Sequence, residues 1–172
     1  MNTGHLYWIT GLSGAGKTTI GKLLFEKLGK EHQNMVFLDG DTMKKVFEST
    51  QEIDYSSNAR KERAMKYARL CHMLVEQGLI VVCCTISMFD DVRSYNREHN
   101  ANYTEIFLDV PMEVLMARDQ KGLYGKYQQG QDVAVAGLNV DIEFPKNPDI
   151  IIHNDGSLSI AECVSMILKS AK

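Results

Sequence analysis

An excess of positive charge is missing from this sequence. Its 19 lysines and arginines stand against 22 acids, for a formal net charge of -3, and the isoelectric point is near 5.9. That balance excludes bulk attraction to nucleic acid or to an anionic membrane, and leaves any bound anion to a local site. Long hydrophobic runs are missing too. The longest, "LIVVCC" from Leu79 to Cys84, is far too short to cross a bilayer, and the N-terminus lacks the basic and long apolar regions of a signal peptide. A cytoplasmic protein without nucleic-acid or membrane partners is expected. The four cysteines, Cys71, Cys83, Cys84 and Cys163, lie inside apolar segments, and no pair has zinc-knuckle or redox spacing. They read as reduced core thiols. No internal repeat or low-complexity linker divides the chain, and its 172 residues suit one domain, residues 1–172.

What the sequence does contain is an alternation of short apolar runs with longer helical patterns. The runs are "LYWIT" (Leu6–Thr10), "MVFLD" (Met35–Asp39), "LIVVCCTI" (Leu79–Ile86), "TEIFLDV" (Thr104–Val110) and "DIIIH" (Asp149–His153). They predict five buried strands of a parallel α/β sheet wrapped by helices. Ile20, Leu23, Leu24 and Leu28 share one helical face, and Gly29 is placed to close that helix in the left-handed conformation. Ala64, Tyr67, Ala68, Cys71, Leu74 and Val75 form a second stripe ending before Gly78. Between Gln120 and Pro145 the periodicity breaks down. A loop this long inside a compact domain is uncommon and predicts a functional lid, approximately residues 120–145, in which Leu123, Tyr124 and Tyr127 can anchor a short helix.

The stretch "GLSGAGKTT" answers the question of where an anion would go. From Gly11 to Thr18 it reads Gly, four residues, Gly, Lys, Thr, after a predicted strand and before a predicted helix, which is the P-loop pattern in its confirming context. Gly11, Gly14 and Gly16 let the backbone curl into a nest of N–H groups, and the helix adds its positive end. Lys17 supplies a full charge to the outer phosphates, and the Thr18 hydroxyl is placed to ligate Mg²⁺. The expected nucleotide-binding set is Gly11, Ser13, Gly14, Ala15, Gly16, Lys17, Thr18 and Thr19. The fold class is therefore a three-layer P-loop NTPase fold with a five-stranded parallel sheet and a lid segment.

Two observations separate a phosphoryl-transfer enzyme from a switch. A guanine-reading Asn-Lys-x-Asp is absent, and "DQKG" at Asp119–Gly122 follows a helical pattern rather than a strand. In contrast, "LDGD" at Leu38–Asp41 sets two carboxylates, Asp39 and Asp41, at the carboxyl edge of the sheet where the P-loop also lies. One can hold Mg²⁺ through water while the other orients and deprotonates an acceptor hydroxyl; without a P-loop nearby, such a pair would read as a helix cap. His72 and His153 read as structural histidines.

"GLSGAGKTT", "LDGD", the helix carrying Arg60, "TIS" at Thr85–Ser87, "RDQKGLYGKY" from Arg118 and "GLNVDIEFPKNPD" from Gly137 together resemble the adenylylsulfate kinase family in order and spacing over nearly the whole chain. The resemblance implies a usually dimeric enzyme that transfers the terminal phosphoryl group of ATP to the 3′-hydroxyl of adenylylsulfate, a small nucleotide substrate. It implies Asp41 as acceptor base, Asp39 as orienter of magnesium or hydroxyl, and Lys121 as closing over the transferring group. Arg118 would border the adenine of ATP, and Arg60 would clamp the acceptor's phosphate. Lys44, Arg63, Ile86, Ser87 and Leu138 complete the acceptor side, Ser87 matching a serine that some members phosphorylate and Leu138 lying by the acceptor base.

The departures from that family cluster on the acceptor side. Lys44 stands where an arginine is usual, Arg63 where an asparagine is, Asp90 in place of the arginine of "SPYR", Ala136 in place of a threonine, and Asn139 in place of an aspartate. Capsule-biosynthesis kinases that phosphorylate cytidine diphosphoramidate at its 3′-hydroxyl are similar as well, and form the second reading. A nucleotide-binding regulatory subunit without catalysis is the competing class, opposed by Lys121 and by the pair Asp39 and Asp41.

Overall fold

Successive side chains of a strand point to opposite sides, so a strand that is apolar at every position needs cover on both faces. The strand Ile80–Cys84 is of that kind, buried along its whole length. The computed structural model describes residues 4–48, 54, 56–119 and 121–171. In chain order its elements are β1 (His5–Gly11), α1 (Lys17–Leu28), β2 (Met35–Asp39), α2 (Gly40–Phe47), α3 (Ser57–Glu76), β3 (Ile80–Cys84), α4 (Asp90–His99), β4 (Tyr103–Asp109), α5 (Met112–Arg118), α6 (Leu123–Gln128), β5 (Ile150–His153) and α7 (Ile160–Ser170). All five expected strands are present, in one parallel sheet of order β2-β3-β1-β4-β5. In the central strand, Tyr7 pairs with Val82 on one side and Thr104 on the other.

The core is divided by the sheet. Leu6, Trp8, Val81 and Cys83 pack with Met43 of α2, Ala64, Tyr67, Ala68 and Cys71 of α3 and Val92 of α4. Tyr7, Ile9, Val82 and Cys84 face the other way, onto Ile20 and Leu24 of α1 and Cys163, Val164 and Ile167 of α7. Each fully buried Leu, Ile or Val contributes about 1.5–3 kcal/mol of transfer free energy, so the two stripes hold α1 and α3 on opposite faces. All four cysteines are buried and unpaired, as core thiols should be. Ser56 caps α3, and α7 opens with a reciprocal box between Ser159 and Glu162.

One local expectation needs correcting. Gly29 follows α1 with φ -63 and ψ -11, right-handed rather than left-handed. The chain keeps winding past it, with His32 and Glu31 amides bonded to the Leu28 carbonyl, so the freedom of a glycine is not used there. Gly78, after α3, does take a positive φ of 82°.

Candidate active site

The loop between β1 and α1 is shaped by its glycines and held by its carbonyls. Gly14 and Gly16 have φ values of 81° and 91°, in the left-handed region, and a Cβ on Gly16 would lie 2.6 Å from Asn154 Nδ2. Four successive carbonyls each accept a side-chain donor. Lys17 Nζ donates to Leu12 O at 2.7 Å, the Tyr124 hydroxyl to Ser13 O at 2.9 Å, Arg118 to Gly14 O at 3.4 Å, and Asn154 Nδ2 to Ala15 O at 2.9 Å. Binding the carbonyl side in this way leaves the amide side of the loop, at the positive end of α1, for an anion. Burial, and then the neighbouring Lys121 charge, pull the Lys17 ammonium down to about 8, against the opposing pull of Asp41 and Asp39. A cation held so uncomfortably gains much from a phosphate.

The two aspartates divide the space beside this loop. Asp39 ends β2, and one carboxylate oxygen caps α2 by accepting the amides of Asp41 and Thr42 at 3.1 and 3.3 Å. Its other oxygen accepts the Thr18 hydroxyl at 2.7 Å. The capping and functional readings of Asp39 are thus compatible, one oxygen for each. A hydroxyl and a carboxylate in contact at a nucleotide loop are a hard-oxygen donor set of the kind Mg²⁺ takes, its remaining ligands being waters and phosphates. Asp41 sits on the first turn of α2 and pairs with Lys121, which reaches across from the segment between α5 and α6. Residues from α2 and from the lid thereby meet beside the P-loop lysine.

On the acceptor side the structure brings the first turns of α3 toward the β3–α4 loop. Arg60 is half-buried, its guanidinium over the Phe89 ring at 5.8 Å, and one buried guanidinium nitrogen has no partner among the described residues. An unpaired donor of this kind costs stability unless a ligand satisfies it. Arg63 is engaged by the Glu48 carboxylate and the Asp54 carbonyl. Lys44, on α2, is partly buried. Ile86 accepts the Thr10 hydroxyl through its carbonyl, and buried Ser87, with φ 24, shares a 2.7 Å hydrogen bond with Thr85. Asp90 opens α4 and pairs with Arg93 and with Lys146, which hold its carboxyl below the usual range.

The predicted lid contains the expected short helix, α6, anchored by buried Tyr124. Its later part turns tightly at Ala136–Val140, where Asn139 accepts the Val135 amide at 2.7 Å and donates to Val133 O at 2.8 Å. Gly137 lies against Leu12, exposed Leu138 follows it, and the Glu143 amide bonds Met88 O. Gln120 lies outside the described residues.

A cavity of about 320 Å³ opens beside the P-loop, lined by Gly14, Gly16, Thr19 and Arg118 and by the loop from Asn154 to Ile160. Arg118 was expected there; Asn154 and the β5–α7 loop were not. The signal was the turn-rich "HNDGSLS" directly after the last strand, at the same carboxyl edge as the P-loop.

A parallel sheet of this order, a phosphate loop and a lid-borne lysine facing a carboxylate define a P-loop kinase. The profile of the adenylylsulphate kinase family matches residues 3–153, and the chain belongs to that family, whose members are ATP-dependent enzymes phosphorylating a hydroxyl. A cytidine diphosphoramidate kinase of Campylobacter jejuni is 40% identical over 98% of this chain and 96% of its own. An adenylyl-sulfate kinase of Burkholderia ambifaria is 34% identical over 94% of this chain and 89% of its own. Among solved structures, the APS kinase of Mycobacterium tuberculosis in complex with AMPPNP and APS superposes with a TM-score of 0.86 at 28% identity, covering 99% and 98% of the two chains.

Proposed function

We propose that this kinase transfers the γ-phosphoryl group of MgATP to the 3′-hydroxyl of a nucleotide conjugate, and that the chain acts as one domain. The observation that carries the reading is the meeting of Lys121 with Asp41 beside the Thr18–Asp39 contact. Asp41 takes the proton of the acceptor hydroxyl as its oxygen bonds to the γ-phosphorus, the bond to the β–γ bridging oxygen breaks, and ADP leaves. Lys17 and Lys121 approach the migrating group from different elements and stabilise the charge spread over its oxygens. Thr18 and Asp39 would hold Mg²⁺, which would supply neutralising charge to the phosphates. Arg118 and the β5–α7 loop receive the adenine, and Arg60 receives the acceptor's phosphate.

Two acceptors are supported. The family profile, the Burkholderia relative and the Mycobacterium structure favour adenylylsulfate. The Campylobacter relative favours cytidine diphosphoramidate, which we place first because of Asp90. That carboxylate, where the resemblance carries an arginine, is held among Arg93 and Lys146. Both of its oxygens are taken by those cations, so the departure withdraws from the acceptor side an arginine of the kind that suits a sulfate. Buried reduced thiols favour a cytoplasmic setting, and no described helix is long and apolar enough to cross a membrane.

The test is ADP release from MgATP with each conjugate in parallel. Faster release with cytidine diphosphoramidate is expected, and the reverse order would restore adenylylsulfate to first place. Release that ignores both conjugates would instead favour a non-catalytic nucleotide-binding subunit. In the same assay Asp41→Asn is expected to lower kcat about 100-fold with little change in ATP affinity.

A further inference from the structure

Lys121 is exposed on a connecting segment, and an exposed lysine does not position itself. Its flanks do. Three residues before it, Arg118 donates to Gly14 O at 3.4 Å and to Asn154 O at 2.8 Å. Three residues after it, the Tyr124 hydroxyl donates to Ser13 O at 2.9 Å from a side chain only 2% exposed. Between the two, Asp119 takes an unusual backbone conformation, φ 22, and its carboxylate accepts the amides of Tyr124 and Gly125, each at 2.9 Å, to start α6. The segment carrying the lysine is therefore fastened at both ends to consecutive carbonyls of the phosphate loop.

We propose that the Tyr124 hydroxyl is a positioning group for phosphoryl transfer: by holding the Ser13 carbonyl it ties the root of the lid to the P-loop and so sets Lys121 over the transferring phosphate. The proposal rests on the kinase reading above. Its physical basis is that a hydrogen bond from a buried phenol to a partly buried carbonyl has few alternatives, so the P-loop and the lysine move together. Burial and the nearby Asp119 charge push the phenol upward, which keeps it a donor at neutral pH. A ring serving only to fill the core would not need its oxygen.

Tyr124→Phe removes that oxygen and keeps the ring. Expected is a fall in kcat of about tenfold, with acceptor KM within about twofold, because misplacement of a reacting group costs rate before binding. Placed in a Lys121→Ala background, the same substitution should cost less than about twofold, since two residues acting through one contact are not additive. A silent Tyr124→Phe, or losses that multiply in the double variant, overturns the proposal. An independent readout is trypsin cleavage after Lys121 and Lys126 with AMPPNP present, expected to be slow in the parent protein and faster in Tyr124→Phe at matched thermal stability. Equal cleavage rates also overturn it. This readout holds even if the parent protein shows no acceptor-dependent turnover, an outcome that would sink the kinase reading alone. Should Tyr124→Phe fold poorly, Asp119→Ala frees the start of α6 with Tyr124 intact; it must give the same cleavage and kcat signature, and unchanged behaviour refutes the coupling.

Discussion

Lys17 is pulled in two directions. Burial and the charge of Lys121 favour losing its proton, and bring it to about 8 from the ordinary 10.5; a triphosphate favours keeping it. The free protein sheds the ammonium charge as pH rises through about 8, whereas the nucleotide-bound protein retains it to higher pH. Binding of an ATP analogue should therefore take up protons between about pH 8 and 10.5, with affinity falling across that window. Calorimetric titration of AMPPNP in buffers of different ionisation enthalpy measures the uptake, and a heat independent of buffer near pH 9 would contradict it. The placement of Lys17 and Thr18 at the start of α1 was legible in the sequence because the P-loop is contiguous, with every donor within a few residues of the next. The double duty of Asp39 was not, since its partner Thr18 is 21 positions away.

Among the elements, α1 carries the P-loop's helix end and must lie close to the sheet for the loop to meet β2. Gly21 makes that approach possible. A Cβ there would fall 2.2 Å from Cys84 Sγ and 3.2 Å from Phe37, with Ile9 close behind. Gly21→Val must displace α1, at a cost of about 1–3 kcal/mol for an overpacked contact. For a chain of this size that corresponds to a lowering of Tm by roughly 2–12 °C. Scanning calorimetry checks it, and an unchanged Tm would mean that α1 does not pack against β3 as described. The two helical stripes were readable from their spacing alone. The tightness of this contact was not, because a glycine in a helical pattern looks the same whether it faces water or a thiol.

For the molecule as a whole, the edge strand β5 leaves Ile151 46% exposed, and Phe144, beside Phe107, is 49% exposed. Apolar side chains at a sheet edge are usually covered or blunted. The homodimer that the family resemblance implies would cover these side chains if its two copies met along this edge, which makes the edge the place to test it. Light scattering should return a mass near twice 19.4 kDa, and Ile151→Asp should shift it toward the monomer. A parent protein that stays at the single-chain mass at micromolar concentration would refute the homodimer.

Five strands, the apolar stripes of α1 and α3, the phosphate loop and the short helix of the lid could all be read from the chain, because each is written in neighbouring residues by periodicity or by glycine spacing. Packing alone decided which side chains hold the loop in shape. The Tyr124 hydroxyl reaches Ser13 across 111 positions and Asn154 reaches Ala15 across 139, and hydrogen bonds over such separations leave no local pattern. The acid at Asp90 is similar in one of its two partners: Arg93 is its neighbour one turn along α4, whereas Lys146 comes from beyond the lid and reaches it only on folding.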